Sequence, residues 1–186
     1  YEMANGLTKE EPGSGYDPTR PFVDRDPRMA MTLLFPGQDW VSGYNNITNT
    51  LDKELPDGST NSNHPEAANN ASKTALSWSK FVTPIGQYEN DFYSTNTRYI
   101  VYRYAEVLLT IAEAANELNG PSEEVYGALD EIRTRVGMPA VDRTKYSTKE
   151  PLRELIRRER SVELAGEGHR RADIVRWKDA SGKMVA

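Results

Sequence analysis

The chain has 186 residues, 37% of them hydrophobic, and a formal net charge of -5 at pH 7, with an isoelectric point near 5.2 and a mean hydropathy of -0.72. Such a length holds one good core or two small ones, and the low apolar content leaves much of the chain as loop or solvated surface. The acidic balance, without a basic stripe interleaved with aromatics, argues against nucleic acid as a partner. Absence of cysteine excludes disulfides, cysteine-rich zinc sites and thiol catalysis, and no apolar run is long enough to span a membrane as a helix.

Residues 1–30 are crowded with turn formers, Gly6, Pro12-Gly13, Gly15, Pro18, Pro21 and Pro27, which forbid a long helix and predict an extended, loop-rich entry. Within it Asp26-Pro27-Arg28 reads as a turn, proline presetting φ while the flanking charges cap or pair; ligand contact is the alternative. Met29 to Phe35 is a short apolar run whose periodicity does not separate a strand from a buried helical turn. Residues 36–97 form an irregular, asparagine-rich centre, sparse in hydrophobic anchors between Leu55 and Leu76, and a loop of that length is functional or disordered. Asp52, Glu54 and Asp57-Gly58 suggest an oxygen-ligand calcium loop without EF-hand spacing; a solvated acidic loop is the plainer reading.

From Tyr99 the pattern turns helical. Val101, Tyr104, Ala105, Leu108, Ile111, Ala112, Ala115 and Leu118 keep helical spacing, and Val107, Leu109 and Ala114 widen the apolar arc past half the circumference, whereas a surface helix needs only a stripe of about 100°. This helix is expected to be packed on more than one side, with Glu106, Thr110, Glu113 and Glu117 on a narrow polar stripe. Asn119-Gly120-Pro121 ends it. A second helix, striped by Val125, Leu129, Ile132 and Val136, stops at Gly137-Met138-Pro139, and the short link makes the two an antiparallel hairpin. Ser147-Thr148-Lys149-Glu150 matches a capping box, with Pro151 tolerated in the first turn. The third helix runs to about Leu164, Gly166 and Gly168 break it, and Arg171 to Lys178 make a short fourth.

The third helix sets Glu159 and Glu163 among Leu152, Leu155, Ile156 and Val162 on its own apolar face. An unpaired buried carboxylate costs several kcal/mol or neutralises itself, so the fold must bring cations to both. His169, Arg170, Arg171 and Arg176 follow at once, and an ion-pair knot of Glu159, Glu163, Arg170 and Arg176 is expected. A catalytic carboxylate pair competes with it, although residues one helical turn apart satisfy the 5–5.5 Å spacing of a retaining glycosidase trivially.

No phosphate loop, dinucleotide fingerprint, GxSxG or HExxH occurs, and of the two histidines His169 falls in the charged knot and His64 in the Asn-rich loop. Aromatic residues are the better functional candidates, because an exposed ring stacks on the C–H face of a sugar while neighbouring amides and carboxylates bond its hydroxyls. Trp40, Tyr44, Asn45 and Asn46 have that composition, with Trp78 and Tyr88 as companions; the alternative is that these rings seal a loop-rich domain.

The run of Glu159-Arg160, Glu163-Leu164, Glu167-Gly168-His169-Arg170, Asp173 and Arg176-Trp177 resembles the C-terminal signature of the SusD/RagB family. Arg103-Tyr104-Ala105-Glu106-Val107-Leu108-Leu109 with Ala112-Glu113-Ala114 and Asn116 resembles that family's central helix, and Tyr16-Asp17 and Arg25-Asp26-Pro27-Arg28 its early elements. Gly166 stands where an aromatic is common, and Arg171-Ala172 replaces a frequent Trp-Phe pair. The resemblance implies a surface lipoprotein of Gram-negative outer membranes that captures glycans for a TonB-dependent transporter, without catalysis and without a cofactor. It also implies a signal and a lipidated cysteine, so the chain reads as an internal piece of a longer protein whose anchor lies outside these residues.

The expected fold is mainly α: two helix pairs, helical-repeat-like, with a long irregular segment, forming one domain over 1–186 (loop-rich 1–98, helical 99–180). The expected function is non-catalytic oligosaccharide capture at the outer-membrane surface. A peptide- or protein-binding helical adaptor is the alternative, and a hydrolase using the buried glutamates a third class.

Overall fold

The computed structural model describes residues 1–36, 38, 52–55, 57–62, 64–67, 72–82, 100–177 and 182–184. The chain is mainly helical and divides into two compact units, Tyr1–Arg28 with Ile100–Ala186, and Met29–Tyr99. The first 28 residues thus belong to the same unit as α2 to α5.

In order, the elements are α1 (Pro27–Thr32), β1 (Leu33–Leu34), β2 (Ser77–Trp78), α2 (Tyr104–Asn119), α3 (Glu123–Arg135), α4 (Lys149–Glu163) and α5 (His169–Arg176). The run from Met29 to Phe35 is thus both things its sequence allowed, a helical turn and then a strand residue pair.

Helix α2 begins after an extended Arg103 and ends at Gly120, whose N–H bonds to the Asn116 carbonyl and whose φ of 77° is a conformation that a side chain resists. Ser122 caps α3 by accepting from the Val125 N–H, with Glu123 and Glu124 in the first turn and Arg133 and Arg135 in the last, each sign matching the helix dipole. The capping box expected on α4 does not form. The N-cap is Thr148 and its side chain makes no cap bond, so Glu150 falls one position short of where the reciprocal bond needs it. Pro151 occupies the first turn, where its missing N–H leaves no helical bond unmade. Gly166 and Gly168, with φ of 77° and 86°, turn the chain from α4 into α5.

Leu108, Leu109 and Ala112 of α2, Val125, Leu129 and Ile132 of α3, and Leu152, Leu155 and Ile156 of α4 form one core with Val141, Tyr146 and Leu164. Each fully buried aliphatic side chain contributes about 1.5–3 kcal/mol. Tyr126 donates to the Tyr146 carbonyl at 2.9 Å, and Asn116 donates to the Lys149 carbonyl at 3.1 Å, tying the end of α2 to the start of α4. Helix α2 packs on α3 and α4, its Glu106 and Glu113 meet α5, and Tyr104, Ile111 and Leu118 are exposed.

In the second unit β1 and β2 pair antiparallel, Leu33 opposite Trp78 and Leu34 opposite Ser77. A tight hairpin pairs Glu54 with Thr60, turning through Asp57, which accepts from the Ser59 N–H and hydroxyl, and Gly58 at φ 80°. That carboxylate shapes the turn, and among the described residues no three His, Asp or Glu side chains gather as metal ligands.

Candidate functional site

The carboxylates of α4 do sit on the apolar face: Glu159 and Glu163 are buried. Their cations come from the rest of the unit and not from α5. Arg28 donates to Glu159 Oε2 at 2.8 Å and to Glu163 Oε2 at 3.1 Å, and holds Asp26 at 2.6 Å. Arg133 pairs with Glu159 Oε1 and with Glu2 at 2.9 Å; Glu2 also accepts from Arg158 at 2.6 Å. Arg103 reaches Glu163 Oε1 at 2.6 Å and Glu167 at 2.7 Å, and Arg135 reaches Glu163 Oε1 at 2.7 Å. Burial pushes the Glu163 carboxyl up, but the hydrogen bond and charge of Arg103, with Arg135 and Arg28, outweigh it and hold the group below the usual carboxylate range.

Local sequence explains how these arginines arrive. Asp26 accepts from the Arg28 N–H at 2.9 Å, and with Pro27 at the first helical position this turn sends the guanidinium inward. Arg103 is the residue before α2, and Arg133 follows Ile132 on the buried side of α3. An arginine on the apolar face of α3 is the same signal as glutamates on that of α4, and sequence reading missed it, along with Arg28, Arg103 and Arg135.

Arg170 and Arg176, assigned to the knot from sequence, lie elsewhere. Arg170 donates to the Ser161 hydroxyl at 2.6 Å. Arg176 pairs with Asp173 at 2.7 Å and with Glu113, next to Arg160, which holds Asp173 at 3.1 Å. The reason is axial: five residues separate the end of α4 from the start of α5, so the cations of α5 meet the outer side of α4 and the acidic stripe of α2. Trp177, buried, donates to Glu113 at 2.9 Å, and Arg157, Arg170 and Arg176 lie over its ring at 5.2, 5.6 and 5.2 Å, as cation–π contacts require. His169 faces Glu106 at 3.3 Å.

Among the described residues, one depression of about 360 Å³ lies beside Arg157, Ser161 and Trp177 and another of about 460 Å³ beside Glu106, Glu113, His169 and Arg176. Their charged groups are largely engaged with one another, and the Trp177 ring is covered by guanidinium groups, so it does not offer a bare aromatic face.

Trp78 does. It lies on β2 with 53% of its surface exposed, and Phe81 nearby in sequence takes a φ of 68°, a conformation non-glycine residues hold only under constraint. Trp40, Tyr44, Asn45, Asn46 and Tyr88, the other ligand candidates, lie outside the described residues.

The family model described as the SusD family matches residues 1–186, and the chain belongs to that family. It is 42% identical over 79 residues to SusD-like protein P25 of Formosa agariphila, covering 42% of this chain and 15% of that protein. It is 36% identical over 104 residues to SusD-like protein P2 of the same organism, 53% of this chain and 21% of the relative. Two solved structures from Bacteroides fragilis share the fold. A SusD-like protein superposes with a TM-score of 0.69 at 28% identity over 95% of this chain and 34% of its own; a SusD-like carbohydrate-binding protein does so with 0.68 at 34% identity over 95% and 33%. The chain thus spans about a third of the solved relatives' length and less of the curated ones.

Proposed function

We propose that the protein captures oligosaccharide nutrients at the outer-membrane surface and passes them to a TonB-dependent transporter, holding the ligand without altering it. The observation that carries this reading is the exposed Trp78 indole, a flat apolar face of the kind that stacks on a sugar ring, in a chain of a family that includes a carbohydrate-binding relative. Trp40, Tyr44, Asn45, Asn46 and Tyr88 are the proposed companions on ligand, and a lipid anchor outside these residues would attach the protein to the membrane.

A hydrolytic reading is not supported by the buried glutamates. A glycosidase needs one carboxyl kept protonated as the acid, whereas Glu163 is held ionised and both Glu159 oxygens already accept from arginines. Affinity electrophoresis through gels containing soluble polysaccharides tests the proposal, with Trp78→Ala and Trp40→Ala alongside. Retardation by one glycan, abolished by either substitution, supports capture and names the ligand class. No retardation by any glycan, with binding to peptides instead, replaces it with the adaptor reading.

A further inference from the structure

The helical unit holds a positively charged depression that the capture reading leaves unused. Glu154, Arg157 and Ser161 follow one another at i, i+3 and i+7 along α4, which puts them on one face. With Arg158, Arg170 and Trp177 they line the opening of about 360 Å³, a volume at the small end of the range for small-molecule sites.

Its cations are not equally spent. Arg158 donates to Glu2, within the knot that balances arginine against carboxylate. Arg157 gives one arm to Glu154 at 2.9 Å and keeps a buried Nε without a hydrogen-bond partner. Arg170 meets no carboxylate among the described residues. It donates to the Ser161 hydroxyl at 2.6 Å, and that hydroxyl is itself fixed by donating to the Arg157 carbonyl at 2.8 Å. Arg157 and Arg170 both lie over the Trp177 ring, at 5.2 and 5.6 Å. Stacking on an indole holds a guanidinium flat and leaves its edge N–H groups for an acceptor. The depression therefore carries the surplus positive charge of Arg170 in donors that are already oriented.

We propose that this depression binds a singly charged oxyanion carried on a sugar ring, a uronate carboxylate or a sulfate ester. Hydrogen bonds from a guanidinium to an oxyanion are among the strong ones. A single surplus charge matches a monoanion and not a phosphate monoester, which carries about -1.5 to -2. The exposed Glu154 carboxylate gives the site an acceptor as well as donors, which suits the hydroxyls of a sugar and has no use for a bare inorganic anion. The sugar as carrier rests on the capture reading; the anion site stands on the arginines.

The test uses the full-length gene product and the indole N–H signal of Trp177 in proton–nitrogen correlation spectra, assigned through Trp177→Phe. Glucuronate and sulfated glucose are titrated at constant ionic strength, with glucose and sodium chloride as controls. At least one of the two acids should shift the signal saturably, and which one acts tells carboxylate from sulfate ester. Arg170→Gln should weaken that binding about tenfold or more, in a protein that still folds because Arg170 makes only the Ser161 bond and the ring contact. Trp78→Ala should leave it unchanged. No saturable shift with either acid overturns the inference, as does an equal shift with glucose, or with chloride, which would mean an adventitious ion only. Binding that survives Arg170→Gln, or is lost in Trp78→Ala, overturns it too. A silent Trp177 signal beside intact glycan retardation defeats the anion site and not capture; a responsive signal without retardation defeats capture and not the anion site.

Discussion

Arg28 and Glu159 stand 131 residues apart in the sequence and meet at 2.8 Å in the interior, each almost fully buried. The contact fastens the extended opening segment to the apolar face of α4. It is the middle of a chain of arginines and carboxylates running from Arg158 and Glu2 through Arg133 and Glu159 to Arg28, Glu163, Arg103 and Glu167. A buried pair is weak evidence of net stability, but removing one member strands the others in a medium that does not solvate them.

Glu159→Ala should therefore destabilise the protein by about 3–5 kcal/mol, read as a lower urea midpoint with unchanged slope. Arg170→Ala, which removes only the Ser161 bond and a ring contact, should cost no more than about 1 kcal/mol. The reverse order of the two effects would return the knot to α5.

The held-down Glu163 carboxyl makes stability depend on pH. As pH falls the unfolded chain binds this proton first, near the ordinary value of 4.5, and the folded chain only lower. The stabilisation is complete above that value and is lost as pH falls through the folded one. Urea midpoints should hold level above about pH 5 and drop below it, with a shallower acid drop, from a lower plateau, in Glu163→Gln. An identical acid limb in the two proteins would remove Glu163 from the account.

Gly6 has a φ of +82°, and a Cβ there would lie 2.8 Å from Pro139 Cγ and 3.2 Å from Arg133 Nη2. The proline ring yields little and Arg133 is pinned by Glu2 and Glu159. Gly6→Ala should cost about 1–3 kcal/mol, and calorimetry showing an unchanged Tm would contradict that geometry.

Trp177 and Trp78 should separate cleanly. Trp177→Ala empties a buried site and should cost about 3–5 kcal/mol, while Trp177→Phe, losing chiefly the bond to Glu113, should cost about 1–3 kcal/mol. Trp78→Ala should leave the Tm nearly unchanged and abolish glycan retardation. A Trp78→Ala protein that unfolds early would mean that the ring seals the second unit.

By itself the sequence determined that α2 to α4 are helices and where they stop, because the signals are local: the apolar period of α2 to α4, Gly120 past the end of α2, and Gly166 with Gly168 after α4; the start of α4, where the expected capping box does not form, and that of α5, at His169 and not Arg171, were not legible there. It also determined that α4 buries two carboxylates which require cations, a consequence of helical geometry and the cost of desolvating charge. Its motifs carried the family, whose model spans the whole chain. Tertiary structure alone decided which cations answer. Any arginine can satisfy a carboxylate, so the choice of Arg28, Arg133 and Arg103 over Arg170 and Arg176 rests on which elements pack together. The same holds for α2, whose wide apolar arc is legible in sequence while its one open side is not: periodicity says that a face is apolar, and only the packing of α3, α4 and α5 fixes which part of it still lacks a neighbour.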